Sequence, residues 1–267
     1  MDTSNKPDNV AAVMKVFAVL EALAEEKQMS LTELAQKALT SKSTAYRFLQ
    51  TMKDLGYVQQ DGEMEKYGLT LKLFGLGASV LNHHVDLIAV ADPAMSRVSE
   101  ATHEAIHLGV LDDTDQSVVY VHKFDSRFNL CMQTRVGRRN PPYNTALGKV
   151  LLAWQDAEDV RRRLAEVTFV KVTPHTLPDT EAVMAELPVV RGQGYAEENE
   201  EGEIGVRCLA VPVFDRIGKV VAAISISFPV VRYDQAKKAD YVGLLHEAGR
   251  RVSESLGFHD YRFAGEV

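Results

Sequence analysis

Residues 30–58 have the sequence SLTELAQKALTSKSTAYRFLQTMKDLGYV, whose pattern predicts two short helices joined by a tight turn. Ser30 and Glu33 have the Ser-x-x-Glu spacing of a capping box, which begins a helix predicted over residues 31–38. Ser41 can cap a second helix that runs to Leu55 and ends at Gly56. Two helices with so short a connection indicate a helix-turn-helix.

The second of these helices has two different faces. The face predicted to enter the core carries Ala45, Phe48, Leu49, Met52 and Leu55. The opposite face carries groups that can bind phosphates or base edges, namely Lys42, Ser43, Tyr46, Arg47 and Gln50. Ordinary solvated helices also carry such residues, so the pattern favours DNA binding only together with the capping box and the tight turn.

The segments on either side of the helix pair complete a winged helix-turn-helix domain. Residues 57–69 have strand-like ends around the turn-forming pair Asp61-Gly62, and a hairpin directly after a recognition helix is a wing. Residues 10–24 place Val10, Val13, Phe17 and Leu20 on one predicted apolar stripe. We therefore expect a DNA-binding domain over residues 10–70, preceded by a disordered tail at residues 1–9.

Composition limits the class of protein. The chain has 267 residues, 46% hydrophobic and 25% charged, which predicts a globular protein of two domains. Its net charge of −7 does not argue against DNA binding, because residues 40–53 contain Lys42, Arg47 and Lys53 and no acid. The two cysteines, Cys131 and Cys208, exclude a disulfide scaffold. Because the sequence has no hydrophobic signal core and no apolar run long enough to span a bilayer, we expect a cytoplasmic protein.

The second part of the chain has a mixed pattern. Residues 71–86 predict an apolar linker helix, and residues 87–102 predict a further helix. The predicted strands then fall at residues 105–111, 118–123, 130–135, 207–214 and 220–228. The predicted helices fall at residues 145–154, 158–166, 180–192 and 235–256. Paired strands separated by groups of helices predict an α+β sensor-like domain with an antiparallel sheet over residues 87–260.

Several motifs together resemble the IclR family of bacterial regulators. In the N-terminal part they are the 13–20 helix, the SKSTAYRFL run at residues 41–49, Gly56-Tyr57-Val58 and residues 67–73. In the C-terminal part they are TALGK at residues 145–149, GVRC at residues 205–208 and ISIS at residues 224–227. The likeness covers residues 10–260. Residues 65–74, 137–141 and 210–228 are most similar to members that respond to 2-keto-3-deoxygluconate.

The resemblance implies a winged helix-turn-helix, a linker helix and a profilin-like, GAF-related effector domain. It also implies homodimers formed through the N-terminal part, often paired into tetramers, that repress or activate genes on double-stranded operator DNA according to a small ligand. The residues implied to contact DNA are Ser41, Lys42, Ser43, Thr44, Tyr46 and Arg47. Of these, Arg47 is the candidate for a guanine edge and Lys42 for a phosphate.

The same resemblance implies a pocket for a keto sugar acid such as 2-keto-3-deoxygluconate. The residues implied to bind it are Met132, Asn140, Ala146, Leu147, Glu198, Val206, Cys208, Ser225 and Ser227. The family usually has Asp where Glu198 stands, so we expect either a narrower pocket or a different reach of this carboxyl group. The hydroxyls of Ser225 and Ser227 share one face of a strand, where a ligand or the neighbouring backbone could satisfy them.

Three arginines and two polar side chains add to the candidates around this pocket. Arg135, Arg138 and Arg139 could bind an anionic sugar acid, and exposed or interface roles fit them equally. Tyr143 and Asn144, with Asn140, offer the amide and hydroxyl groups that a polyol needs.

Two other classes of function remain as alternatives. Residues 103–107 are HEAIH, the HExxH pattern of zinc hydrolases, which would use His103 and His107 as ligands. However, His103 ends a predicted helix and His107 lies in a predicted strand, where residues four apart are separated by about 13 Å. We therefore expect no metal site, and no phosphate-binding or dinucleotide motif predicts a cofactor. The other alternative is a sensor module that binds no DNA.

Overall fold

The computed structural model of the protein describes residues 11–62, 65–81 and 85–263. It divides into two compact units, residues 1–83 and residues 84–267. The predicted disordered tail, residues 1–9, lies outside the described residues.

The first unit is a helix-turn-helix followed by a two-stranded hairpin, as predicted. Its elements are α1 (Ala11–Glu25), α2 (Leu31–Lys37), α3 (Lys42–Asp54), β1 (Val58–Gln60), β2 (Tyr67–Leu69) and α4 (Leu71–Leu81). The predicted capping box is present, with the Ser30 amide donating to Glu33 at 2.8 Å and the Glu33 amide donating to the Ser30 hydroxyl at 3.4 Å. Strands β1 and β2 are antiparallel and form the predicted wing.

The core of this unit lies among α1, α2, α3 and the hairpin. Val19, Leu23, Leu34 and Leu49 are fully buried there. Two backbone hydrogen bonds between Met29 and Tyr67, of 2.9 and 2.8 Å, fasten the wing to the start of α2. Helices α1, α2 and α3 therefore each bury a face against a neighbouring element.

One predicted core position of the first unit, Leu55, is wrong, and two residues of the predicted apolar stripe on α1 are exposed. Val13 and Phe17 are 52% and 58% exposed, because the buried face of α1 is formed by Val19, Ala22 and Leu23, in its second half. Leu55 is 53% exposed, because it follows the last turn of α3 as the C-cap residue.

The second unit is built on a six-stranded antiparallel sheet with the strand order β5-β4-β3-β8-β7-β6. Its strands are β3 (Ala105–Leu111), β4 (Val118–Phe124), β5 (Arg139–Asn140), β6 (Ala196–Asn199), β7 (Val206–Phe214) and β8 (Val220–Pro229). The predicted α+β class with an antiparallel sheet is confirmed.

Helices cover both faces of this sheet. They are α5 (Val85–Thr102), α6 (Ala146–Ala153), α7 (Ala157–Leu164), α8 (Thr180–Gln193) and α9 (Lys238–Ser255). Helices α6, α7 and α8 pack on one face, in a core that includes Val118, Ala210 and Ala223 of the strands. Helices α5 and α9 pack against each other on the opposite face. Among the described residues, no helix is long and apolar enough to cross a membrane.

Several boundaries differ from the prediction. The strand predicted at residues 130–135 is wrong, since this segment is an irregular connection from β4 to β5. The short strands β5 and β6 were not predicted. Helix α9 begins at Lys238, after a single 3-10 turn at Gln235–Lys237.

Candidate DNA-binding surface and effector pocket

The N-terminal end of α3 is fixed by its own side chains. The Thr44 amide donates to the Ser41 hydroxyl at 3.2 Å, and this hydroxyl donates to Thr44 Oγ1 at 2.8 Å. No acidic residue lies in the first turn of α3. The partial positive charge of the helix end is therefore available to an anion such as a phosphate.

Five of the six predicted DNA contacts are exposed on this end of α3: Ser41, Lys42, Ser43, Tyr46 and Arg47. Thr44 is half-buried, because it takes part in the cap. Within the described part of the chain, neither Lys42 nor Arg47 forms an ion pair with a carboxylate. Gln50 hydrogen-bonds Tyr67 of the wing, so it lies toward β2.

A row of polar side chains crosses the sheet of the second unit on the face that α6 covers. It follows the strand order, since Glu198 on β6 pairs in register with Cys208 on β7, and Cys208 pairs with Ser227 on β8. The row continues through His107 on β3 to Tyr120 on β4, whose rings meet edge to face with centroids 5.2 Å apart. Five strands thus contribute one side chain each.

Hydrogen bonds join the members of this row. The Cys208 Sγ and Ser227 Oγ atoms lie 3.2 Å apart, and Ser227 Oγ lies 3.4 Å from His107 Nδ1. The Asn140 amide donates to the Tyr120 hydroxyl at 3.1 Å, and Arg138 Nε donates to Asn140 Oδ1 at 3.2 Å. We call these seven residues, Glu198, Cys208, Ser227, His107, Tyr120, Asn140 and Arg138, the polar row.

Burial keeps three members of the polar row uncharged at neutral pH. It lowers the pKa of His107 to about 4, which leaves the imidazole neutral. It raises the pKa of Tyr120 to about 12, and it raises the pKa of the Cys208 thiol well above its usual value. These groups can therefore exchange hydrogen bonds with a neutral hydroxyl or keto group.

Glu198 titrates nearer to neutral pH. Burial raises the pKa of its carboxyl group to about 7, against the opposing effect of the hydrogen bonds that it accepts. The amides of Glu201 and Gly202 donate to Glu198 Oε1 at 2.6 and 3.1 Å. Both the acid and the carboxylate are consequently populated at pH 7.

A cavity of about 90 Å³ lies against the polar row. Six of the nine predicted ligand residues line it: Met132, Asn140, Glu198, Val206, Cys208 and Ser227. The prediction missed the lining residues His107, Tyr120, Thr134, Thr145, Gly202 and Glu203. Arg138 and Asn144, which the sequence offered as additional candidates, also line it.

The other three predicted ligand residues lie outside the cavity wall. Ala146 and Leu147 begin α6, directly after Thr145, which lines the cavity and whose hydroxyl accepts from the Gly148 amide at 3.0 Å. Ser225 is buried two residues before Ser227 on the same face of β8. The cavity is therefore bounded by Ser227 and by the N-terminal end of α6.

The HExxH pattern does not form a helical metal site. Helix α5 ends at Thr102, His103 has a left-handed backbone with φ of 60°, and His107 lies in β3. Glu104 is buried and accepts from Arg232 at 2.6 and 2.7 Å, so its carboxylate is used in an ion pair. Over the described residues, no cluster of three or more potential ligands could hold a metal.

A larger cavity, of about 580 Å³, lies between the β3–β4 turn, β5 and α7. Of the predicted ligand residues, it includes Asn140. Its guanidinium groups are neutralised, since Arg139 pairs with Asp112 and Asp115 at 2.7 and 2.6 Å, and Arg163 pairs with Asp113 at 2.9 Å. The smaller cavity is therefore the better candidate for an anionic ligand.

Family profiles match both parts of the chain. The profile described as "IclR helix-turn-helix domain" matches residues 12–62, and the profile "Bacterial transcriptional regulator IclR C-terminal" matches residues 79–254. The chain is 55% identical over 262 residues to the HTH-type transcriptional regulator KdgR of Dickeya chrysanthemi, covering 98% of this chain and 85% of that protein. It is 54% identical to KdgR of Escherichia coli K12 over 262 residues, covering 98% of each.

Solved structures agree with these matches. The C-terminal domain of E. coli KdgR superimposes with a TM-score of 0.60 at 48% identity, covering 65% of this chain and all of that domain. The Thermotoga maritima IclR structure has a TM-score of 0.75 at 29% identity, covering 94% of this chain and 100% of its own. An IclR homologue from Microbacterium hydrocarbonoxydans, complexed with 4-hydroxybenzoate, has a TM-score of 0.75 at 25% identity, covering 92% and 99%.

Proposed function

The chain belongs to the IclR family of bacterial transcriptional regulators, and we propose that it represses genes of sugar-acid catabolism until a keto sugar acid binds in its effector pocket. It is a DNA-binding regulator and not an enzyme, which sets aside the hydrolase alternative.

The observation that carries the effector proposal is the position of Arg138. Its guanidinium lines a cavity that also includes the carboxyl groups of Glu198 and Glu203, yet within the described residues it forms no ion pair with a carboxylate. A ligand with one negative charge and several hydroxyl or keto oxygens matches this arrangement. The structural relative complexed with 4-hydroxybenzoate also holds an organic carboxylate.

The effector that we propose is 2-keto-3-deoxygluconate or a related keto acid, as the sequence resemblance implies. Its carboxylate would lie between Arg138 and the backbone amides of Ala146 and Leu147 at the start of α6. Its keto and hydroxyl oxygens would bond to Ser227 and Asn140 of the polar row, with Ser225 behind them. Met132, Val206, Glu198 and Cys208 would enclose the remaining carbon chain.

For the DNA-binding unit, we propose that α3 enters the major groove. Arg47 would hold a guanine through two hydrogen bonds, and Tyr46 would lie beside it. Lys42 and the capped end of α3, with Ser41, Ser43 and Thr44, would bind phosphates.

We propose a DNA-binding domain at residues 10–70, a linker helix at residues 71–86 and an effector domain at residues 87–260. The exposed apolar side chains of Val13, Met14 and Phe17 on α1 support a homodimer formed through the first unit, which could pair into a tetramer. Effector binding would then change the spacing of two recognition helices, which must match two half-sites on cytoplasmic DNA.

A thermal-shift screen against sugar acids tests the effector directly. A ligand that binds the folded state raises the melting temperature, so 2-keto-3-deoxygluconate should raise it more than gluconate, which lacks the keto group. Equal shifts from both acids would contradict the keto-acid assignment. A gel-shift assay with the DNA upstream of the protein's own gene tests the other half, and absent or salt-insensitive binding would favour a sensor without DNA binding.

A further inference from the structure

We infer that Lys149 is a positioning residue of the effector pocket, whose buried ammonium fixes the turn at residues 198–203 against the cavity. This inference rests on the proposed effector pocket and adds to it a residue that does not line the cavity. Lys149 lies on α6, three residues after the helix begins at Ala146.

The Lys149 side chain is only 1% exposed. Its Nζ atom lies 2.6 Å from Glu201 Oε1 and 2.7 Å from Glu186 Oε2, and it donates to the Glu197 carbonyl oxygen at 3.2 Å. An ammonium has three hydrogen-bond donors, so these acceptors use all of them. A buried ammonium whose three donors all have acceptors holds those acceptors in one arrangement.

Glu201 connects this ammonium to the pocket. Its carboxylate binds Lys149, while its backbone amide donates to Glu198 Oε1 at 2.6 Å. The Gly202 amide donates to the same oxygen at 3.1 Å, and both Gly202 and Glu198 line the cavity. Thr176 holds the turn from the other side, by donating to the Glu201 carbonyl oxygen at 2.7 Å. A displaced Glu201 would therefore also displace Glu198.

The residue before Lys149 supports a second wall of the same cavity. A Cβ atom at Gly148 would overlap the backbone of Pro142, so α6 packs directly on the turn that carries Asn144. A Cβ atom at Gly202 would lie 2.9 Å from the Asn144 carbonyl oxygen, so the two walls also contact each other. Consecutive residues of α6 thus position both walls, and Lys149 controls the one that contains Glu198.

The variants must distinguish an effect on the position of the turn from an effect on the stability of the fold. Lys149→Met alone leaves the Glu201 carboxylate buried without its cation and is expected to destabilise the fold. The double variant Lys149→Met/Glu201→Gln removes both charges at similar volume, so its melting temperature should recover. Glu201→Ala keeps Lys149 paired with Glu186 and removes its link to the turn, together with a long hydrogen bond of 3.4 Å from the Asn199 amide. Lys238→Met is the matched control, because it removes another lysine that pairs with a neighbouring glutamate, Glu197.

Amide hydrogen exchange measures how often the turn at residues 198–203 opens in the protein without ligand. In the double variant and in Glu201→Ala, the backbone amides at positions 201 and 202 should exchange about tenfold faster than in the wild type, while the amides of β8 keep their protection. In the Lys238→Met control, the amides at positions 201 and 202 should exchange at the wild-type rate. Titration calorimetry with 2-keto-3-deoxygluconate should then show an affinity about tenfold lower in the same two variants. Wild-type exchange rates at Glu201 and Gly202 in both variants would overturn the inference.

Recovery of affinity together with melting temperature in the double variant would also overturn it, because Lys149 would then act on stability alone. If the wild-type protein does not bind this acid, the proposed function fails. The exchange comparison still decides the role of Lys149 in that case.

Discussion

The Cys208 Sγ atom lies 3.2 Å from the Ser227 Oγ atom, so side chains as well as backbone join β7 and β8 beside the candidate pocket. Ser227 also approaches His107 Nδ1, at 3.4 Å, which extends the contact to β3. Burial keeps both neighbours of Ser227 uncharged, since it lowers the pKa of His107 to about 4 and raises that of the Cys208 thiol. Ser227 is therefore the central hydroxyl of the polar row.

Ser227→Ala should weaken binding of 2-keto-3-deoxygluconate by about tenfold, because a hydrogen bond in a buried site contributes about 1–1.5 kcal/mol. Ser225→Ala is the matched comparison, since Ser225 has the same chemistry and strand face but lies outside the cavity wall. We expect a smaller loss for it in titration calorimetry. Equal losses would show that the binding site extends beyond the cavity to Ser225.

Glu198 should make stability depend on pH. Because its pKa is raised in the folded protein, from 4.5 to about 7, the folded state holds the proton more tightly than the unfolded state. The stabilisation is complete below the unfolded pKa and is lost as pH rises through the folded pKa, by up to about 3 kcal/mol. Glu198→Gln should lack this loss.

Urea unfolding of the wild type and of Glu198→Gln between about pH 5 and pH 8 checks this expectation. The stability of the wild type relative to the variant should fall as pH rises. His107 has the opposite effect, since its lowered pKa removes stability as pH falls. Because both proteins contain His107, its contribution cancels in the difference between their free energies of unfolding. A difference that does not change with pH would contradict the raised pKa.

Gly148→Ala should destabilise the second unit by about 3 kcal/mol, because the added methyl group would overlap the Pro142 backbone. Gly192→Ala is the matched control in a second helix. Its Cβ would meet no atom within 4 Å, and the substitution should stabilise the protein by about 0.5–1 kcal/mol. Opposite shifts in the urea midpoint are the expected result, and similar shifts would show that α6 does not pack closely on the turn before it.

Arg47→Ala should lower affinity for the operator by about 10- to 100-fold and leave the melting temperature unchanged, since Arg47 is exposed. Lys27→Ala is the control, because it removes an exposed cation of the same unit that lies outside α3. Fluorescence anisotropy at one salt concentration compares the two variants on operator and random DNA. If Arg47→Ala still discriminates the operator from random DNA, this side chain does not read bases.

The helix-turn-helix could be predicted from sequence because its signals are local. The capping box joins Ser30 to Glu33, and Ser41 caps its own helix within three residues. The wing likewise follows from a short turn between two strands. The burial of Val19 in place of Val13 and Phe17 depends on which part of α1 meets α2 and the wing, and a helical stripe alone does not contain that information.

The pocket was predictable only through family likeness. His107 and Ser227 come together although 120 residues separate them, and the contact depends on the pairing of β3 with β8. No window of sequence contains that pairing, so His107 and Tyr120 were missed as lining residues. The strand predicted at residues 130–135 was wrong for a related reason, since Met132 and Thr134 line the cavity instead of joining the sheet.

We propose that this chain couples the binding of a keto sugar acid to the binding of DNA. The most direct measurement is the affinity of the full chain for the DNA upstream of its own gene, by fluorescence anisotropy at fixed salt, with and without saturating 2-keto-3-deoxygluconate. Coupling between two sites of a regulator is typically 5- to 150-fold, so we expect the effector to raise the Kd for DNA by at least about tenfold. An unchanged Kd for DNA, with effector binding shown in the same sample, would mean that the two sites are not coupled.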